Sequence, residues 1–336
     1  MIGVLLINLG SPAAPKTRAV RKYLRQFLSD PYVIDCSPWL RWPLVHLIIA
    51  PFRAPRSAAA YRKIWTEEGS PLRFNSYALS AAVTEQLGDE YAVDLGMRYG
   101  KPSIPVALKR LVTQGITQLR ILPLYPQYAL SSTETGIQCV KKWVKKEAPG
   151  LPVSIVPPFY EDAGFIESFA VHGRDIVRRK RPDHILFSFH GLPESHIKRL
   201  DPSGALCLKK NDCCQREVPE NQHCYRHHCF MTVRALAASL GLAPEQYSVS
   251  FQSRLGRTPW IKPYTDHVLP ELAAKGVKRL AVFSPSFVAD CLETLEEIGL
   301  RGRDLFLDAG GQSFDLVPCP NADPAWVEAV CRMVKD

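Results

Sequence analysis

"HILFSFHGLP", residues 184–193, is the stretch that decides the fold. Ile185, Leu186 and Phe187 read as a buried strand. The strand ends on an ionisable ring, His190, and Gly191 and Pro193 stop it from continuing. The pattern has a twin. "VLLINLGSP", residues 4–12, runs through strand, glycine, one residue and proline in the same way. A second pair follows: "LRILPLYPQY" (119–128) and "KRLAVFSPSF" (278–287) each break at a proline and give way to a polar loop and a helix.

Between these landmarks the period changes to that of helices. Val20, Tyr23, Leu24, Phe27 and Leu28 share one face. "YAVDLGMRY" (91–99) is another strand, and Ser103 is placed to cap a helix that buries Ile104, Leu108, Leu111 and Val112. A further helix buries Ile137, Val140 and Val144 and stops at "APG" (148–150). Strands alternating with helices imply parallel βαβ units. The expectation is an α/β protein of two similar doubly wound lobes with parallel sheets, at 1–150 and 151–310. A strand and helix at 311–336, capped at Asp323 with Pro324 in its first turn, would pack back onto one lobe. Ligands bind beyond the carboxyl ends of such strands, so His190 would face a cleft between the lobes.

Composition limits the function. The chain has 336 residues, 46% of them hydrophobic and 22% charged, which excludes a disordered protein. The net charge of +9 suits an anionic ligand, a membrane surface or nucleic acid. The charge is spread along the chain with no recognition motif, which argues against nucleic acid. No G-x-G-x-x-G or Walker loop follows a strand. "MIGVLLINLG" (1–10) lacks the charged start and cleavage site of a signal peptide. The most apolar run, "WLRWPLVHLIIAPF" (39–52), falls short of the roughly 18 residues that span a bilayer. A cytoplasmic protein is expected, with peripheral contact to the inner membrane left open, as is its oligomeric state.

"FVADCLETLEEIG" (287–299) carries acidic chemistry. On a helix, Asp290, Glu293 and Glu297 fall within about 60° of one face. A solvated acidic face is the plain reading. The segment follows the strand of "KRLAVFSPSF", however, so it begins at the ligand edge of the lobe that holds His190. A histidine meeting carboxylates there can bind a divalent cation or relay protons. "FQSRLGRTPW" (251–260) adds Arg254, Arg257 and Trp260, a mixture suited to a flat anionic ligand or to an ordinary surface loop. "MRYGKP" (97–102) and "YPQYALSSTETG" (125–136) add Arg98, Tyr99, Tyr125, Tyr128 and the hydroxyls of Ser131, Ser132 and Thr133.

"LINLGSP", "MRYGKP", "YPQY…SST", "SFHGLP", "FQSRLGRTPW" and "DCLETLEEI" occur in this order. Together they resemble the ferrochelatases, which insert ferrous iron into a porphyrin. The resemblance covers residues 2 to 334 and implies two Rossmann-like, chelatase-like lobes with a porphyrin cleft between them. It puts the family's invariant histidine on His190 and its active-site glutamate on Glu293, both catalytic and both facing the iron substrate. Glu297 and Asp290 would form a proton path, and Arg98, Tyr99, Tyr125, Ser132 and Trp260 would line the porphyrin cleft. Cys291 stands where some relatives have a second histidine, so that role does not transfer. The implied reaction yields protohaem from protoporphyrin and releases two protons, with basic residues paired to propionates. Coproporphyrin, another tetrapyrrole chelatase activity and a non-catalytic haem or metal sensor are the competing readings. The resemblance also makes residues 36–65 a greasy lip that can touch a membrane; a helix pair packed on the first lobe is the plain alternative.

Ten cysteines without a signal peptide argue against a disulfide framework. Cys36, Cys139, Cys291, Cys319 and Cys331 are scattered and read as small hydrophobes. The other five lie in "CLKKNDCCQREVPENQHCYRHHC" (207–229), within a segment, 201–229, that resembles an insertion relative to short ferrochelatases. Some relatives carry a [2Fe–2S] cluster on C-terminal cysteines, and this segment could hold one by another route. Cys207, Cys214 or its neighbour Cys213, Cys224 and Cys229 make a set of four. Structural zinc, on cysteine and histidine, is the alternative.

Overall fold

The computed structural model describes residues 1–256 and 258–335. Two four-stranded sheets, all parallel, organise the chain. In the first, β1 (Ile2–Asn8) lies between β2 (Tyr91–Met97) and β3 (Gln118–Pro123), and β4 (Val153–Ile155) edges β3. In the second, β5 (His184–His190) lies between β6 (Tyr247–Gln252) and β7 (Arg279–Phe283), and β8 (Ser313–Leu316) edges β7. Both sheets therefore have the order second, first, third, fourth. The near-continuous apolar runs of β1 and β5 have a physical reason: strands inside a helix-covered parallel sheet are buried on both faces. Val4 to Ile7 and Ile185 to Phe189 are buried accordingly.

Register fixes the correspondence between the two sheets. Asn8 opposes Met97, and Phe189 opposes Phe251. The Met97 amide donates to the Pro102 carbonyl at 2.6 Å, and the Phe251 amide to the Pro263 carbonyl at 2.8 Å. Leu9 thus occupies in the first sheet the place of His190 in the second, and Gly10 that of Gly191. Both glycines are required by close approach. A Cβ on Gly10, at φ +98°, would lie 1.8 Å from the Tyr99 carbonyl oxygen, and one on Gly191 would lie 2.8 Å from the Gln252 carbonyl oxygen. The glycine after each strand lets the neighbouring chain cross the strand end.

The chain divides into two compact units: residues 1–125, 130–157 and 321–336, and residues 126–129 and 158–320. The final helix, Pro324–Lys335, belongs to the first unit, while β8 is in the second sheet. Residues 311–336 are therefore shared out, because Ser313–Leu316 pairs with β7 before the chain returns to the first unit. Widened π-helical turns follow the corresponding strands β3 and β7, at Leu130–Glu134 and Leu292–Gly302. Such turns are rare and often mark functional sites.

Candidate active site

His190 is held by its own backbone. Its Nδ1 lies 2.6 Å from the Gly191 carbonyl oxygen, which can only accept, so Nδ1 carries the proton. Nε2 is then the lone-pair atom of the neutral ring, free to take a proton or a metal ion. The His190 amide donates to Ser286 Oγ at 3.1 Å, and its carbonyl accepts from the Tyr225 hydroxyl at 2.8 Å. Phe287 packs edge-on against the ring. Trp260 reaches the same strand end: its segment bridges Pro193, and its ring edge would sit 3.3 Å from a Gly191 Cβ. Its indole N–H donates to the Leu255 carbonyl at 2.9 Å, which fixes the ring plane.

The acidic partners come from the Leu292–Gly302 helix. Glu293 is half-buried, and its carbonyl accepts from the Gln252 side chain at 2.9 Å. The buried Cys291 thiol hydrogen-bonds the Glu293 carboxylate; burial first, and that carboxylate second, hold the thiol in its neutral form. Glu297 accepts from the Ser253 amide at 2.9 Å and the Ser253 hydroxyl at 2.5 Å. Burial raises the Glu297 pKa above the usual carboxylate range. Ser253 opposes this, the Glu293 charge adds to it, and Arg301 and His190 reduce it. Glu297 thus feels both Glu293 and His190, and the three form one electrostatic group in the second unit. A carboxyl so placed exchanges protons nearer neutrality than an exposed one.

Asp290 does not belong to this group in the way that helical periodicity suggests. Cys291, with extended backbone, caps the helix, so Asp290 lies outside it. Its carboxylate accepts from the Thr294 hydroxyl at 3.1 Å and the Cys319 amide at 3.4 Å. Asp290 anchors the helix start instead of continuing the face of Glu293 and Glu297.

Two of the expected porphyrin residues of the first unit, Arg98 and Tyr99, meet at a residue that spacing does not reveal, Asp30. The Arg98 guanidinium approaches Asp30 at 2.5 Å, the Tyr99 hydroxyl donates to it at 2.9 Å and the Thr135 hydroxyl at 2.7 Å. Tyr99 is buried, and burial pushes its phenol pKa far up. Its hydroxyl braces Asp30. Tyr125 has an enclosed hydroxyl with no partner among the described residues. Ser132 is half-buried in the first widened turn. Arg254 pairs with Asp266 at 2.7 Å and lies over the Tyr264 ring. The basic residues expected to meet propionates are thus already paired at Arg98 and Arg254, while Arg257 lies outside the described residues.

The cysteine-rich segment is built on two buried polar residues. Asp201 accepts from the amides of Cys207 at 2.8 Å and Leu206 at 2.9 Å, and from Ser203 and Gly204. Burial opposes its ionisation, but these donors together lower its pKa to about 2. Asn221 donates to the carbonyls of Cys213 and Arg216 and accepts from Val218. All five thiols of the segment are buried. Cys224 touches Cys207 and Cys214; the Cys207 contact is the largest influence, and the Cys224 pKa rises to about 12. Arg226 lies 3.1 Å from the Cys214 sulfur and 3.9 Å from that of Cys213, stacked over Phe230. Cys229 lies in the field of Cys224 and Cys214 and hydrogen-bonds Tyr225. Among the described residues no three Cys, His, Asp or Glu side chains are gathered as one metal ion would hold them.

Two duplicated parallel sheets, the second with a histidine and two carboxylates near one strand edge, form the framework of the site. Two solved structures share the fold: SirB from Bacillus subtilis with Fe3+, and the sirohydrochlorin chelatase SirB from Bacillus subtilis subspecies spizizenii with cobalt. Their TM-scores are 0.54 and 0.55, at 13% and 10% identity, over 99% of this chain and 94% of each of theirs. The sequence gives the particular family. A ferrochelatase family model matches residues 1–336. The chain is 49% identical to a ferrochelatase of Coxiella burnetii (strain Dugway 5J108-111) over 335 residues, covering 99% of this chain and 93% of that one. It is 48% identical to one from Ectopseudomonas mendocina (97% and 95% covered) and 44% to one from Bdellovibrio bacteriovorus (99% and 98%). The chain belongs to the ferrochelatase family, enzymes that insert iron into a porphyrin.

Proposed function

We propose that the porphyrin is protoporphyrin, and that His190 and Glu293 carry out the metallation. The observation that supports this reading is the His190 tautomer: with Nδ1–H spent on Gly191, Nε2 is a fixed base. Insertion exchanges two pyrrole N–H protons for one ferrous ion. Nε2 takes a proton from the ring face it meets. The Glu293 carboxylate holds the incoming iron and exchanges its water for porphyrin nitrogens. Glu297, one turn on and already inclined to hold a proton, passes protons away. Trp260 gives the macrocycle a flat apolar wall beside His190.

Two observations favour protoporphyrin, with two carboxylates, over coproporphyrin, with four: Arg98 and Arg254 are each already neutralised by an aspartate. Steady-state metallation of the two porphyrins tests this. A kcat/KM at least tenfold higher for protoporphyrin is expected; equal or higher values for coproporphyrin would reverse the assignment.

The segment 36–65 presents an apolar surface suited to collecting this substrate from a membrane. Trp39 is 89% and Phe52 76% exposed, with Trp42, Leu47 and Ile48 also exposed, while Val45, Ala50, Ala54 and Ala58 face inward. Among the described residues no helix is long and apolar enough to cross a membrane. A surface contact is the form this proposal takes.

The thiols fit a [2Fe–2S] cluster. Cys207, Cys214, Cys224 and Cys229 would hold it, with Arg226 balancing thiolate charge at Cys214. Pairwise thiol contacts suit ligands divided between two irons better than four donors around one zinc ion. His228 is withdrawn from a zinc set, since its two nitrogens meet the Tyr128 amide and the Gln222 carbonyl. A bound cluster would supply one-electron chemistry and a cross-link for a long polar loop.

A further inference from the structure

The Tyr225 hydroxyl closes a ring around the backbone of His190. The His190 amide donates to Ser286 Oγ at 3.1 Å, and the Tyr225 hydroxyl donates to the His190 carbonyl at 2.8 Å. Tyr225 and Ser286 lie 2.9 Å apart. Tyr225 has one proton, and His190 receives it, so Ser286 donates to Tyr225. The circuit is closed: His190 N–H to Ser286, Ser286 to Tyr225, Tyr225 to His190 C=O. Each bond polarises the next, and both backbone groups of the residue are fixed.

Tyr225 is buried, follows Cys224 directly, and opens the helix Tyr225–Ser239 that carries Cys229. The aromatic ring therefore stands between the cysteine-rich segment and the strand end that aims His190. We propose that Tyr225 is a positioning residue for iron insertion, holding His190 in its productive orientation. This rests on the assignment of His190 as the base.

The test uses the full chain with its native metal content. Tyr225→Phe keeps the ring and removes the hydroxyl; Ser286→Ala breaks the circuit from its other side. Iron and sulfide per chain and the visible spectrum report the cysteine site, and anaerobic metallation gives kcat and KM. Tyr225→Phe should keep wild-type iron and sulfide content and a porphyrin KM within twofold, while kcat falls about tenfold. Ser286→Ala should fall similarly, and the double variant no further than either alone, because one circuit is broken in all three. Wild-type kcat in both single variants, multiplicative losses, or a change confined to KM would overturn the proposal. If Tyr225→Phe does not fold, Ser286→Ala decides alone: a tenfold loss in kcat supports the circuit and wild-type kcat refutes it. A wild type that fails to metallate any porphyrin would remove the His190 assignment itself, a result distinct from active wild type with active variants.

Discussion

The two units are built on one plan and end their central strands differently. β1 leads into Leu9-Gly10-Ser11-Pro12, and β5 into His190-Gly191-Leu192-Pro193. The glycine is common because a crossing chain lies against each strand end, with a Cβ excluded by the Tyr99 or Gln252 carbonyl. The residue before it is where the units part. In the first unit it is apolar, and the nearby polar groups turn inward on Asp30. In the second it is a histidine whose Nδ1 meets the Gly191 carbonyl, and the following widened helix places Glu297 in the field of both Glu293 and His190. On the proposed assignment, the scaffold supplies aim and a single side chain at its edge supplies chemistry.

Several substitutions would sharpen or break this contrast. Glu293→Gln should lower kcat by about 10²-fold or more, the range for losing an acid–base group, without changing the fold; circular dichroism and steady-state metallation check both halves. In the cysteine segment, Cys214→Ser should abolish bound iron and sulfide, whereas Cys213→Ser should keep at least half of it, since Cys213 stands behind Cys214 in the thiol chain. Elemental analysis with sulfide assay distinguishes them. Glu297→Gln should cost about tenfold in kcat. Folding raises the Glu297 pKa, so ionising this carboxyl opposes the fold, and Gln should hold or raise Tm at pH 7 to 8 while activity falls. Leu9→His, which copies the second unit's residue into the first, should alter kcat by less than about twofold, because no carboxylate pair accompanies it.

Asp201 gives a pH dependence of known sign. Its folded pKa is lowered to about 2, below the ordinary value of about 3.9. Its contribution to the cysteine segment is complete above pH ~4 and is lost as pH falls towards 2. Proteolysis within 203–220 should accelerate across that window, and Asp201→Asn should show the faster rate already at pH 7.

Much of this architecture was legible in the sequence because it is periodic. The paired strand ends, the helical faces and the proline breaks all repeat locally, and they put His190 at the carboxyl end of a core strand, where β5 ends. The acidic face was half legible: Glu293 and Glu297 obey helical spacing, but Asp290 precedes the true helix start, which is set by the extended backbone of Cys291. Long-range pairing was not legible. Arg98 finds Asp30 across 68 residues and Tyr225 finds His190 across 35, and no local period announces such partners. Asp201 left a trace in the turn-forming "DPSG", yet its hold on the Cys207 loop emerges only in three dimensions.

The most direct test of the account makes the second strand end like the first. His190→Leu is expected to leave folding and porphyrin binding intact and to lower metallation by about 10²–10⁴-fold. The measurement is anaerobic quenching of protoporphyrin fluorescence on adding ferrous iron, with haem absorbance followed in parallel. Rapid quenching and haem formation by the wild type, with an inert but porphyrin-binding variant, is the predicted result. A His190→Leu protein that metallates at the wild-type rate would contradict the account.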